Sequence, residues 1–272
     1  MTRPASHLHP RVTAYRSRRS SVSSGQQQTW DRLWPELGTQ ARTPEGPAGL
    51  LDTRTWFGRS APVVLEIGSG TGTSTLAMAT AEPDVDVIAV EVYRRGLAQL
   101  LSAIDRKGIT NIRLVRGDGI DVLQHMLSPE SLTGVRVFFP DPWPKARHHK
   151  RRLLQPDTIA LIADRLRPGG VLHAATDHPG YAEQIAECGD AEPRLRRVSA
   201  HVRSEEGSAH VRSEEGTADV RSEEGTAHVR SENGSAHAKD GLPISVTRPL
   251  TKYETKAQDA GSAVAELVWE KR

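Results

Sequence analysis

Residues 63–72 read Val63-Val64-Leu65-Glu66-Ile67-Gly68-Ser69-Gly70-Thr71-Gly72: an apolar run holding one acid, then three glycines at spacing two. Five residues this apolar suit a strand covered on both faces. Glycines at that spacing allow a tight turn and let a ligand approach the backbone where a helix begins. The pattern is GxGxG, not the GxGxxG of dinucleotide-binding turns. Purely structural turns also look like this, so the flanking sequence has to decide.

Outward from this stretch the same rhythm repeats. Val63–Ile67, Asp86–Glu91, Ile112–Val115, Val135–Phe139 and Val171–Thr176 read as strands. Ser74–Ala81, Arg94–Lys107, Gly119–Leu127, Pro156–Leu166 and Pro179–Glu187 read as the helices between them. Apolar strands separated by helices predict an α/β fold, a Rossmann-like, mostly parallel sheet covered on both faces. Ala263–Glu270 reads as a closing strand, with Arg194–Ser199 as an antiparallel partner and Lys252–Gln258 as a short helix. Seven strands result, the C-terminal one antiparallel. Ligands of such sheets bind beyond the carboxyl ends of the strands, so the residues just after each strand matter most.

On the amino-terminal side, Trp30, Leu33, Trp34 and Leu37 recur at helical spacing within Gln26–Leu37, a stripe that packs on the main domain. Pro44 to Gly49 reads as a loop. Residues 1–60 form a basic arm with this short helix, holding nine Arg against four Asp or Glu. Residues 61–200 and 237–272 form the folded domain. Between its two parts, 201–236 is four copies of a nine-residue unit, HVRSEEGSA, HVRSEEGTA, DVRSEEGTA and HVRSENGSA, with four Arg against eight acids. Each copy has one Val and no aromatic residue, too little apolar surface for a stacked solenoid, which predicts a disordered insertion. His201, His210 and His228 repeat within it, but their spacing in such chain is a poor metal site.

Net charge is +2 overall, yet the body outside the acidic repeats is basic, which suits a polyanionic partner. One cysteine, Cys188, excludes a disulfide framework and fits a reducing compartment. No apolar run approaches a membrane span, and no apolar segment comes after the basic N-terminus. The expected location is the cytosol.

Acids stand at successive strand ends: Glu66 before the glycines Gly68, Gly70 and Gly72, then Glu91, 19 residues beyond Gly72, then Asp118. Together they suit a nucleoside carrying an ammonium group: Glu66 for the cation, Glu91 for a ribose diol, Asp118 for an adenine amino group. The fourth strand ends in Phe138-Phe139-Pro140-Asp141-Pro142-Trp143-Pro144-Lys145. Three prolines stiffen this turn and hold Asp141 and Trp143 at the sheet opening. Lys145-Ala146-Arg147-His148-His149-Lys150-Arg151-Arg152 comes immediately after. Such runs are often solvated faces, but beside a reaction pocket they can neutralise phosphates.

These residues together resemble the bacterial tRNA (guanine-N7)-methyltransferase family. FFPDPWPKARHHKRR at 138–152 is the specific part, supported by ATD at 175–177 and TKYE at 251–254. The resemblance covers Gln26 to Glu187 and Arg248 onward. It implies a single class I methyltransferase domain and S-adenosylmethionine as co-substrate, held by Glu66, Glu91, Asp118 and Asp141. Asp141 is implied as catalytic, and no metal is implied. Lys145, Asp177, Thr251, Lys252, Tyr253 and Glu254 are implied to bind the substrate base, and Arg147, His148, His149, Lys150, Arg151 and Arg152 to contact RNA. The implied target is N7 of the variable-loop guanosine (position 46) of tRNA. The implied partner is tRNA alone, with the chain a monomer or weak homodimer and away from membranes. Tyr253 stands where the family often has Phe.

Three other readings compete with this one. Pro140-Asp141-Pro142-Trp143 loosely resembles the Asp-Pro-Pro-aromatic loop of amino-group methyltransferases, but one proline intervenes instead of two. A non-catalytic RNA-binding module would not need intact strand-end acids. A nicotinamide dehydrogenase fits the glycine spacing poorly.

Overall fold

The computed structural model describes residues 22–203, 209–210, 241–250, 254 and 263–272. The chain begins with α1 (Ser24–Leu37), β1 (Gly38–Gln40), a small hairpin of β2 (Arg42–Thr43) and β3 (Gly46–Pro47), and α2 (Thr53–Phe57). Next come β4 (Val63–Ile67), α3 (Thr73–Ala81), β5 (Asp86–Glu91), α4 (Arg94–Lys107) and β6 (Ile112–Arg116). The second half contains α5 (Gly119–Asp121), β7 (Leu132–Phe138), α6 (Pro156–Arg165), β8 (Leu166–Thr176) and α7 (Pro179–Ala191). It closes with β9 (Leu195–Arg203), β10 (Ala209–His210) and β11 (Val264–Lys271).

The main sheet runs β1-β6-β5-β4-β7-β8-β11-β9-β10. Pairs from β1 to β8 are parallel, and β11 pairs antiparallel with both β8 and β9. Strand order turns at β4, which leads outward to β5 and β6 on one side and lies beside β7 on the other. The seven expected strands are therefore present, and β1 and β10 add short edges. Neither edge is long or apolar enough to show in the sequence pattern.

Every residue of β4, β5 and nearly all of β7 is buried, because helices lie on both faces. On one face Leu65, Ile88, Val135 and Leu172 pack with Ile159, Ile162 and Tyr181. On the other, Val87, Ala89 and Leu114 pack with Leu97, Leu100 and Ile104 of α4 and with Trp30 of α1. The stripe on α1 thus joins the core as expected. Trp30 stacks on Trp34 with ring centroids 4.0 Å apart, and Arg94 lies over the Trp30 ring at 4.6 Å. Ser23 caps α1 reciprocally with Gln26, a local start signal that also anchors the segment. Residues 1–21 lie outside the described residues.

Four boundaries differ from the sequence reading. The helix expected over Gly119–Leu127 is α5 followed by a π-helical turn at Val122–Met126, where Arg165 Nε donates to the Leu123 carbonyl at 2.6 Å. Strand β8 starts at Leu166, five residues before the expected Val171, because Leu166 pairs with Leu132 across an irregular register. The expected loop from Pro44 to Gly49 contains β3, which forms a hairpin with β2, Arg42 opposite Pro47 and Thr43 opposite Gly46. Finally, β9 enters the repeats: His201, Val202 and Arg203 pair with Glu266, Ala265 and Val264. Ala209 and His210 return alongside Val202 and His201. The backbone there pairs with β11 and β10 by main-chain hydrogen bonds, so little apolar content is needed. The rest of the repeats, 204–208 and 211–236, and the helix expected over 252–258, except Glu254, lie outside the described residues.

The segment 241–250 packs back on the sheet through Ile244, Val64 and Val268. Glu82 Oε1 accepts from Ser245 N at 2.6 Å, and its Oε2 pairs with the buried Arg136 at 2.6 Å. That carboxylate neutralises a cation placed inside the sheet, which alone would cost several kcal/mol.

Candidate active site

The glycine turn sits at the carboxyl end of β4, where strand order reverses. Gly68, Gly70 and Gly72 have φ of 80°, 56° and 82°, a left-handed conformation that other residues adopt only with strain. Gly68 N and Ser69 N donate to Val90 O at 2.9 and 3.0 Å, clipping the turn to β5. A Cβ on Gly68 or Gly70 would meet nothing within 4 Å, so the space above the turn is open. Gly96 lets α4 press on the same turn, since a Cβ there would overlap the Gly70 carbonyl oxygen.

Glu66 lies beneath this turn and is 3% exposed. Burial raises its pKa to about 7, against the pull of Arg136 and the Thr75 hydroxyl. Glu66 Oε2 and Ser69 Oγ are buried without a hydrogen-bond partner in the structure, an unmet demand that a ligand donor would satisfy. Glu91, at the end of β5, accepts from Gly70 N (2.9 Å) and Tyr93 N (2.9 Å). Burial raises its pKa, those backbone donors oppose the rise, and the charge of Asp141 adds to it. Asp118, after β6, caps α5 by accepting from Ile120 N at 2.9 Å and is half-buried. The three acids and the glycines therefore converge on one edge of the sheet, and the orphaned oxygens fit an ammonium-bearing nucleoside.

Asp141 comes after β7 and Asp177 after β8, parallel neighbours in which Phe138 stands opposite Ala175. Phe139 N donates to Ala175 O at 2.8 Å, continuing the pairing to the loop. Phe139 and Trp143 have φ of 51° and 42°, so strained residues flank Pro140-Asp141-Pro142 on both sides. Asp141 thus lies exposed on a turn bounded by two residues of positive φ, at the carboxyl end of β7.

The matching family model, described as "Putative methyltransferase", covers residues 60–228. A protein named tRNA (guanine-N(7)-)-methyltransferase from Mycobacterium sp. (strain KMS) is 64% identical over 269 residues, 98% of this chain and 84% of that one. Its namesake from Mycolicibacterium vanbaalenii is 63% identical, covering 98% and 90%. Another from Mycobacterium bovis (strain BCG / Pasteur 1173P2) is 61% identical, covering 95% and 85%. The chain belongs to the tRNA (guanine-N(7)-)-methyltransferase family.

Within that family framework the basic stretch divides in two. Ala146–Arg151 forms a 3₁₀ helix with no buried residue. Lys145, Arg147, Lys150 and Arg151 are exposed, and His148 and His149 are half-buried. Arg151 lies over the Trp143 ring at 5.0 Å, and His148 meets that ring edge-on at 5.8 Å. Partial burial, then the cations Arg151, Arg147, Lys145 and Lys150, lower the His148 pKa. Arg152 is different, and its expected RNA contact is corrected. It is 1% exposed, and its Nε and Nη1 donate inside the protein, as the charge run alone could not reveal.

Glu254, expected to bind the substrate base, is also buried. Arg248 Nη1 and Nη2 reach Glu254 Oε2 and Oε1 at 2.6 and 3.0 Å, a bidentate pair with neither side chain exposed. Arg248 also lies over Phe138 and Phe139 at 5.5 and 5.1 Å, the two residues that root the proline turn. Arg248 was not among the residues singled out from sequence, and its isolation before Pro249 gives no motif that would have found it. Thr251, Lys252 and Tyr253 lie outside the described residues. Among the described residues no cluster of three or more His, Cys, Asp or Glu could hold a metal, and no helix is long and apolar enough to cross a membrane.

Proposed function

We propose that this chain transfers the methyl group of S-adenosylmethionine to N7 of the variable-loop guanosine of tRNA in the cytosol. The observation that carries this reading is the convergence of Glu66, Glu91, Asp118 and the glycine turn beside the exposed Asp141, in a chain with relatives of that name at 64% identity. When bound, S-adenosylmethionine supplies a methyl group on an electrophilic sulfonium centre. Glu66 faces its ammonium, Glu91 its ribose and Asp118 its adenine.

Guanine N7 has an in-plane lone pair and no proton, so no base is needed to free it for attack. The protein's task is alignment, which the proline turn serves by leaving the reaction wall few conformations. The purine becomes cationic as the new N–C bond forms, and the carboxylate of Asp141 stabilises that charge. Asp177, on the neighbouring strand end, accepts from the N1–H and N2–H donors of guanine, which adenine lacks. The exposed Lys145, Arg147, Lys150 and Arg151 hold phosphates and set the register of the RNA.

The test is incubation of purified protein with unmodified tRNA and labelled S-adenosylmethionine, then nuclease digestion and mass spectrometry. The expected product is 7-methylguanosine at one position. A methyl group on an exocyclic amine, or no incorporation at all, would overturn the reading.

A further inference from the structure

Arg152 joins the two loops that carry the acids. Its Nε donates to Pro142 O at 2.8 Å, the carbonyl next to Asp141. Its Nη1 donates to Gly180 O at 2.9 Å and to Gln184 Oε1 at 2.7 Å, both on α7, the helix that begins just after Asp177. The guanidinium lies over the Tyr181 ring at 4.8 Å. Tyr181 is itself fixed, since its hydroxyl accepts from Leu154 N at 2.9 Å, and burial pushes its pKa up to about 12. Gln184 Nε2 returns to Leu154 O at 3.2 Å.

We infer that Arg152 is a positioning residue that sets the spacing of Asp141 and Asp177 by clamping Pro142 to the start of α7. This rests on the reaction proposed above. Without the clamp the turn at 140–144 is held at its root by the Phe139–Ala175 bond, while its far limb has lost its tie to α7. A guanidinium suits this task because it is planar and directs donors two ways at once, whereas an ammonium offers a point charge. The residue next door, Arg151, faces solvent and takes the opposite role, so adjacent arginines separate alignment from RNA affinity.

The experiment compares Arg152→Lys and Arg151→Ala with the active wild-type protein in steady-state kinetics and in tRNA binding at several salt concentrations. For Arg152→Lys, kcat falls about 10- to 100-fold, as a displacement on the order of 1 Å would cause. Its tRNA affinity and the slope of log affinity against log salt stay at wild-type values. For Arg151→Ala, affinity falls and the slope flattens by about one phosphate contact. The inference is overturned if Arg152→Lys keeps its kcat, or if it lowers affinity and flattens the slope as Arg151→Ala does. Should Arg152→Lys not fold, Gln184→Met removes one of the three bonds and faces the same two outcomes. Inactivity of the wild-type protein on tRNA would instead refute the proposed reaction.

Discussion

Replacing Glu66 with Gln removes a buried carboxyl whose pKa the fold raises from 4.5 to about 7. That rise corresponds to about 3 kcal/mol at ~1.4 kcal/mol per unit. An acid with a raised pKa binds its proton more tightly in the folded state than in the unfolded state. Folded stability therefore falls as pH climbs from 4.5 through about 7. Gln keeps the shape and never ionises. Without ligand, Glu66→Gln is expected to gain on the wild type by about 2 kcal/mol more at pH 8 than at pH 5 in urea unfolding. Ligand binding reverses the preference. A cationic ammonium over Glu66 favours the carboxylate, so affinity of the wild type for S-adenosylhomocysteine should rise about tenfold from pH 6 to pH 8. The variant should bind weakly and without that slope. Calorimetry at both pH values reads the effect directly. A flat wild-type affinity, or a variant binding as tightly as wild type with the slope intact, refutes the placement of the ammonium at Glu66.

Asp141→Asn should lower kcat by about 10²- to 10³-fold with S-adenosylhomocysteine affinity within a few-fold of wild type; near-normal turnover would remove Asp141 from the reaction. Glu254→Gln should destabilise the fold by about 2–3 kcal/mol, because Arg248 loses its bidentate partner and is left with Glu266, at 3.6 Å, to balance its buried charge. Urea unfolding measures this, and a change under about 1 kcal/mol would show the pair to be dispensable. Deleting residues 211–236 should leave thermal stability and methyl transfer near wild type, since β9 and β10 are retained. A large drop in either would give the repeats a role in this protein.

The strands were legible where burial on both faces imposes unbroken apolar runs, and β4 and β5 match to the residue. Short edges were not: β1 is three residues of Gly, Thr and Gln, which pair by backbone hydrogen bonds that leave no mark on hydropathy. The acids of the site were readable from position alone, because strand ends in such a sheet all face the same crevice. Their surroundings were not. Arg147, Arg151 and Arg152 look alike in a basic run, yet only the packing of α7 makes Arg152 an internal tie. Glu254 likewise offers a carboxylate in sequence, and the cation that occupies it stands six residues away at Arg248 with no motif to announce it. Sequence reports which groups are available, and tertiary packing decides which of them are already engaged.

Strand β11 is wedged between β8 and β9, and a ribosome makes both neighbours before it makes the wedge. During synthesis β8 and β9 therefore wait with bare edges facing a gap one strand wide, and bare edges invite foreign strands. Residues 264–271 complete the sheet late, bringing the partner of His173, Glu266, at 2.6 Å and the lysine that reaches Leu166 O at 2.7 Å. A nascent chain arrested before Val264 would hold every acid of the crevice and still leave β8 unsupported on one side. Such fragments should be substrates for chaperones and proteases rather than partly active enzyme.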